Sequence, residues 1–201
     1  MSCEINTKTC IANPNKINIA FAGGPCTGKT TTACMLFAIL KAKGYDFDLV
    51  LEESRKLRKE FGHFRSIWER FYMWRQQERE ELRSTASKGF ITDIPLFHFY
   101  VQSRMHIEEP RDMMAVRELF RMCLEIEQRY QLIVIAKNPD EIPYKTDQSR
   151  SGNKQNSLTK HTLTTTFVEH FLHDKVLYVT GSTEERVQQI IDKIQSMIKI
   201  S

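Results

Sequence analysis

Gly23-Gly24-Pro25-Cys26-Thr27-Gly28-Lys29-Thr30 is the stretch on which the reading of this chain turns. It fits G-x-x-x-x-G-K-[ST], the Walker A pattern, and each position has a physical reason. Glycines let the backbone curl until successive N–H groups point inward at phosphate oxygens. Lys29 supplies a point charge to the β- and γ-phosphates, and the Thr30 hydroxyl is a Mg²⁺ ligand. Thr31 extends the nucleotide-binding set into the first helical turn, whose positive dipole end favours an anion. Cys26 lies inside the loop, where backbone does the binding, and is read as filler. The loop's neighbours agree with it. Ile17 to Ala22 is a short apolar run of strand formers, and a helical pattern runs from Lys29 to Lys43 before Gly44 stops it.

Outward from the loop, strands and helices alternate. Phe47–Leu51, Gly89–Thr92, Gln131–Ala136 and Val176–Val179 read as further strands. Between them lie helical stretches at Ser54–Ser87 (broken near Gly62), Leu96–His106, Arg111–Arg129, Leu158–Leu172 and Thr183–Ile198. Ser182 and Glu185 form a capping box for the last. Strands without polar alternation are covered on both faces, so a parallel sheet flanked by helices is expected. The expected fold is α/β, a P-loop NTPase fold with five parallel strands flanked by helices. One domain spans 16–201 after a polar leader at 1–15. Residues 138–160, whose first part is rich in Pro, Gly, Ser and Asn, form a lid insertion.

Bulk properties narrow the class. The net charge of +4 permits a polyanionic partner without demanding one. Five cysteines, an odd number with no CxxC pair, argue for free thiols in a reducing compartment. The apolar runs are too short to span a bilayer and no signal-peptide pattern opens the chain, so a cytoplasmic protein is expected. His170 and His173 share a helix face with no cysteine to complete a zinc set, and read as surface histidines.

In doubly wound sheets, ligands sit beyond the carboxyl ends of the strands. Strand three ends in Thr92-Asp93, which places Asp93 towards the metal and the acceptor hydroxyl. Strand two ends in Glu52-Glu53-Ser54-Arg55. Glu52 is a candidate base or acceptor anchor, and Arg55 a candidate clamp on an acceptor anion. Between Arg55 and Arg83, arginines and lysines mix with aromatics, the composition of a single-strand or flipped-base surface. Trp68, Phe71 and Tyr72 fall at core spacing, and Trp74, off that stripe, reads as the exposed stacking ring.

Gly23 to Thr31, Glu52-x-x-Arg55 and Ile91-Thr92-Asp93-Ile94-Pro95-Leu96 together resemble the ribosylnicotinamide-kinase-like group of P-loop kinases. That group includes bacteriophage kinases that phosphorylate 5-hydroxymethyluracil in DNA. The resemblance covers most of the chain, with two departures. A hydroxyl common after the third-strand aspartate is missing at Ile94, and Ser149 to Asn153 only approximates the group's lid motif. It implies a kinase using ATP and Mg²⁺, strand order 2-3-1-4-5, and Arg150, with Lys154 beside it, as a lid cation on the phosphates. Asp93 or Glu52 is the proton acceptor. The acceptor it implies is a modified pyrimidine in phage DNA. Alternatives are nicotinamide riboside or a nucleotide, and an ATPase switch with no acceptor.

Overall fold

The computed structural model describes residues 16–52, 62, 66–137 and 154–200. Five parallel strands form one sheet in the order β2-β3-β1-β4-β5, as expected. The strands are β1 (Ile19–Ala22), β2 (Asp48–Val50), β3 (Phe90–Thr92), β4 (Leu132–Ala136) and β5 (Val176–Val179). The helices are α1 (Lys29–Ala42), α2 (Glu69–Leu82), α3 (Phe97–Ser103), α4 (Pro110–Glu125), α5 (Lys154–Phe171) and α6 (Thr183–Ile200). The chain therefore has the α/β P-loop NTPase kinase fold.

β4 shows why the strand runs are uninterrupted. Leu132 and Val134 point into one core with Ile19, Phe21 and the inner faces of α1 and α6. Ile133 and Ile135 point into the other, with Ala20, Ala22 and residues of α2 to α5. Both faces are buried, so neither half of the alternation can be polar. Asn18 ties the strands' amino ends together. Its amide nitrogen donates to the Arg129 carbonyl at 2.8 Å, and its amide oxygen accepts the Phe90 N–H at 3.3 Å.

Two readings of the α2 region need correction. First, the helix ends at Leu82 and does not run to Ser87. The Asp48 carboxylate on β2 captures the Ser84 hydroxyl at 2.8 Å and the N–H groups of Thr85 and Ala86 at 3.1 and 3.2 Å. These local bonds replace the helical ladder. Second, two of the three stripe aromatics turn outward, while Phe71 packs partly buried against the core as expected. Trp68 and Tyr72 are 46% and 51% exposed, whereas Trp74 is 1% exposed. The buried face is Arg70, Met73, Trp74, Gln77 and Glu81. A stripe chosen by hydropathy fails here because the enclosed polar groups have partners. Arg70 donates to Gln102 at 2.8 Å, Gln77 to Thr92 at 3.2 Å, and Tyr130 to Glu81 at 2.9 Å.

α5 starts one turn earlier than expected, at Lys154, so the last part of the expected lid is helix. The leader at 1–15 and the rest of the lid, 138–153, lie outside the described residues. The Ser182–Glu185 capping box is present: the Ser182 N–H reaches the Glu185 carboxylate at 2.7 Å and the Glu185 N–H the Ser182 hydroxyl at 3.2 Å. Among the described residues no helix is long and apolar enough to cross a membrane.

Candidate phosphate-transfer site

β1 delivers the chain at Ala22 into a loop with three left-handed residues, Gly23 at φ 122°, Cys26 at 62° and Gly28 at 77°. Cys26 is the one non-glycine residue with positive φ among those described. Its backbone holds a conformation disfavoured for an L side chain. Gly28 caps α1 with no side-chain bond, leaving the first-turn N–H groups directed at the loop. The loop is braced from within. Thr27 donates to the Gly24 carbonyl at 2.9 Å, and Lys29 Nζ donates to the same oxygen at 2.6 Å. Pro25 and Gly28 are half-buried, and Thr31 is exposed on the first turn of α1.

Asp93 stands across from the loop at the end of β3, 3% exposed. One carboxylate oxygen accepts the Thr30 hydroxyl at 2.5 Å, and the other accepts the Glu52 N–H at 2.8 Å. A single side chain thus joins the ends of β2 and β3 to the first turn of α1. A hydroxyl and a carboxylate in contact are hard oxygen donors of the kind Mg²⁺ takes beside nucleotide phosphates, so Thr30 and Asp93 fit that ion. Cys34 lies close by: burial, and then the Asp93 charge, raise its thiol pKa. Arg55 and Arg150 fall outside the described residues. No group of three His, Cys, Asp or Glu side chains suited to a transition metal occurs among those described.

Three residues that the sequence did not single out surround the loop. Ser157 of α5 donates its hydroxyl to the Pro25 carbonyl. His161, one turn on, accepts the Gly24 N–H on Nδ1 at 3.4 Å. The contact is close enough that a Cβ on Gly24 would sit 2.2 Å from the Ser157 carbonyl oxygen. From the other side comes Arg186 of α6, whose guanidinium lies 3.2 Å from the position of a Cβ on Gly28. Its Nε is buried with no hydrogen-bond partner. The i, i+4 spacing of Ser157 and His161 was visible, but their partners lie more than 130 residues away.

The turn bearing Asp93 rests on a buried polar network. Thr92 donates to the Ile94 carbonyl at 3.1 Å. Tyr130 accepts the Leu96 N–H at 2.9 Å and donates to Glu81. Arg129 lies 3.3 Å from Glu81 and 3.4 Å from Glu78. Burial pushes the Glu81 pKa up to about 8, against the opposing pull of Arg129 and Tyr130. Beside this network, Arg70, Trp74 and Gln77 turn polar atoms inward from α2. The buried Trp74 Nε1 has no hydrogen-bond partner.

An AAA domain profile, AAA_28, matches residues 18–186, from the first strand through Arg186. The chain belongs to this AAA domain family. No curated protein sequence matches it. Solved structures share this AAA domain's fold. NadR in complex with NAD and AMP-PNP superposes with a TM-score of 0.66 at 18% identity, over 93% of this chain and 51% of NadR. NadR in complex with NR gives 0.67 at the same identity and coverage. The chain spans about half the length of NadR. Deoxyadenosine kinase from M. mycoides, with products dCMP and a flexible dCDP bound, gives 0.60 at 14% identity, over 90% of this chain and 100% of the kinase.

Proposed function

We propose that this AAA domain is an ATP-dependent kinase that moves the γ-phosphate to a hydroxyl of a nucleoside-type acceptor. The observation that carries the reading is the Asp93 carboxylate, shared between Thr30 at 2.5 Å and the Glu52 N–H at 2.8 Å. It sets a metal-binding pair beside the phosphate loop and holds the end of β2 against it. Bound Mg²⁺ would be held by Thr30 and Asp93, and supplies neutralisation of charge on the β- and γ-phosphates. Lys29 adds a fixed positive charge on the loop side. Asp93 fixes the Glu52 backbone at the carboxyl end of β2, and we assign proton acceptance from the acceptor hydroxyl to the Glu52 carboxylate. The acceptor oxygen bonds to γ-phosphorus as the β–γ bridging bond breaks, and ADP leaves. Arg55 and Arg150 are proposed clamps on the acceptor and the phosphates.

The buried Trp74 Nε1, with no hydrogen-bond partner among the described residues, suits an acceptor ring with a hydrogen-bonding edge better than a plain alcohol. The likeness to NadR and deoxyadenosine kinase is in keeping with that. Within the class, the proposed acceptor is 5-hydroxymethyluracil in DNA. In its favour are the outward Trp68 and Tyr72, followed at helical spacing by exposed Arg75 and Arg79. Nicotinamide riboside is the second reading, favoured by the enclosed polar face of α2. The proposed domain runs from 16 to 201, with its lid at 138–160.

The test offers γ-labelled ATP and Mg²⁺ with hydroxymethyluracil-containing DNA, plain DNA, nicotinamide riboside and deoxyadenosine in parallel. Label in the hydroxymethylated DNA alone supports the DNA reading. Label in a free nucleoside transfers the assignment to that acceptor, and label in none of them removes the nucleoside class.

A further inference from the structure

α3, α4 and α5 do not close completely on one another. Between them lies a cavity of about 290 Å³, at the small end of the range for ligand pockets. Its wall is aromatic. Tyr100 and Phe120 have ring centroids 5.2 Å apart, Tyr100 and Phe167 5.5 Å, and Phe167 and Phe171 4.9 Å. None of these pairs is parallel; the rings tilt by 41° to 56°. Besides Tyr100, three polar side chains line it, Arg104, Thr166 and His170. Arg104 is exposed, and its guanidinium makes no hydrogen bond or ion pair among the described residues. His170 meets the edge of Phe171 at 4.5 Å.

Leu163, two residues beyond His161, lines the end of the cavity nearer the phosphate loop, and Arg104 and His170 line the far end. α3 starts beside Asp93 at the carboxyl end of the sheet and runs away from it, and Arg104 follows its last turn. α5 touches the loop through Ser157 and His161, then leads down to β5. His170 is nine residues beyond His161, roughly 14 Å along the axis. An anionic group held at Arg104 and His170 therefore lies well along α5 from the turn that touches the loop.

We propose that this cavity is a second ligand site, for a small planar aromatic molecule carrying one anionic group. Tilted aromatic walls favour a flat ring through edge-to-face and offset contacts. The volume admits one or two fused rings and excludes a dinucleotide. The anionic group is specified by Arg104, whose planar fork matches a carboxylate, with His170 as a neighbouring donor. The carboxyl ends of α3 and α5 oppose an anion with about half a charge each. Arg104, which follows the last turn of α3, offsets this with a full charge and five donors.

The probe is 2-naphthoate, titrated into the protein by calorimetry, with its uncharged amide as the comparison. The expected result is saturable binding at one site per chain, unchanged by saturating ATP and Mg²⁺. The amide should bind about tenfold more weakly, as should naphthoate to Arg104→Gln. Thr166→Trp, at an exposed position on the lining, should fill the space and remove binding while the circular dichroism spectrum stays that of the wild type. The proposal is overturned if naphthoate shows no saturation up to about 1 mM. It is equally overturned if ATP displaces naphthoate, or if Arg104→Gln and Thr166→Trp bind it as the wild type does.

Discussion

Replacing Glu81 with glutamine should flatten the dependence of stability on pH. The carboxyl is fully enclosed, and its pKa rises from 4.5 to about 8, chiefly through burial. In the unfolded chain it loses its proton near the lower value, in the folded chain near the higher. Between the two, the folded state binds one more proton than the unfolded state. Its contribution to stability is therefore complete below the unfolded value and is lost as pH rises through the folded one. Between about pH 5.5 and 8.5 that loss is of order 3 kcal/mol. Glutamine keeps an oxygen to accept the Tyr130 hydroxyl and removes the ionisation, and Arg129 retains Glu78. Urea unfolding of both proteins at about pH 5.5, 7 and 8.5 reads the difference directly. The wild type should lose stability with rising pH and the variant much less. Parallel curves would refute the reasoning and mean that Glu81 is ionised in the fold as a working partner of Arg129.

Other substitutions probe the site and its supports. Gly24→Ala sets a methyl 2.2 Å from the Ser157 carbonyl. It should destabilise by about 1–3 kcal/mol and weaken ATP binding, whereas Gly44→Ala, with nothing within 4 Å of its Cβ, should leave ATP binding unchanged. Thermal unfolding and nucleotide titration check both. Asp93→Asn removes the charge beside Thr30 and should lower kcat about a hundredfold or more with the fold intact; near-normal turnover would take Asp93 out of the mechanism. Trp74→Ala should destabilise by about 3–5 kcal/mol, since the ring is enclosed, and Trp68→Ala by less than about 1 kcal/mol. Equal losses in urea unfolding would contradict the orientation of α2.

The sheet was legible because its signals are local. QLIVIA at 131–136 has no polar position, and only a strand covered on both faces tolerates that. GGPCTGKT carried its own geometry, and Asp93 followed from standing at the carboxyl end of a strand beside it. What escaped the sequence depends on distant partners. Trp74 looked exposed because its neighbours Arg70, Gln77 and Glu81 are polar, and nothing local shows that Gln102, Thr92 and Tyr130 satisfy them. Ser157, His161 and Arg186 carry no motif and reach the loop only after the chain folds. Cys26 gave no sign of its left-handed backbone, since that conformation is imposed by the loop and not by the residue.

In the proposed function, the loop, Thr30 and Asp93 support phosphate transfer to an acceptor. The most direct measurement follows ADP formation from ATP and Mg²⁺, with and without the acceptor labelled in the parallel assay, in the wild type and in Lys29→Ala. Acceptor-dependent ADP is expected, equal in amount to phosphorylated acceptor and lost in Lys29→Ala. ADP formed at the same rate without acceptor, or persisting in Lys29→Ala, would contradict it.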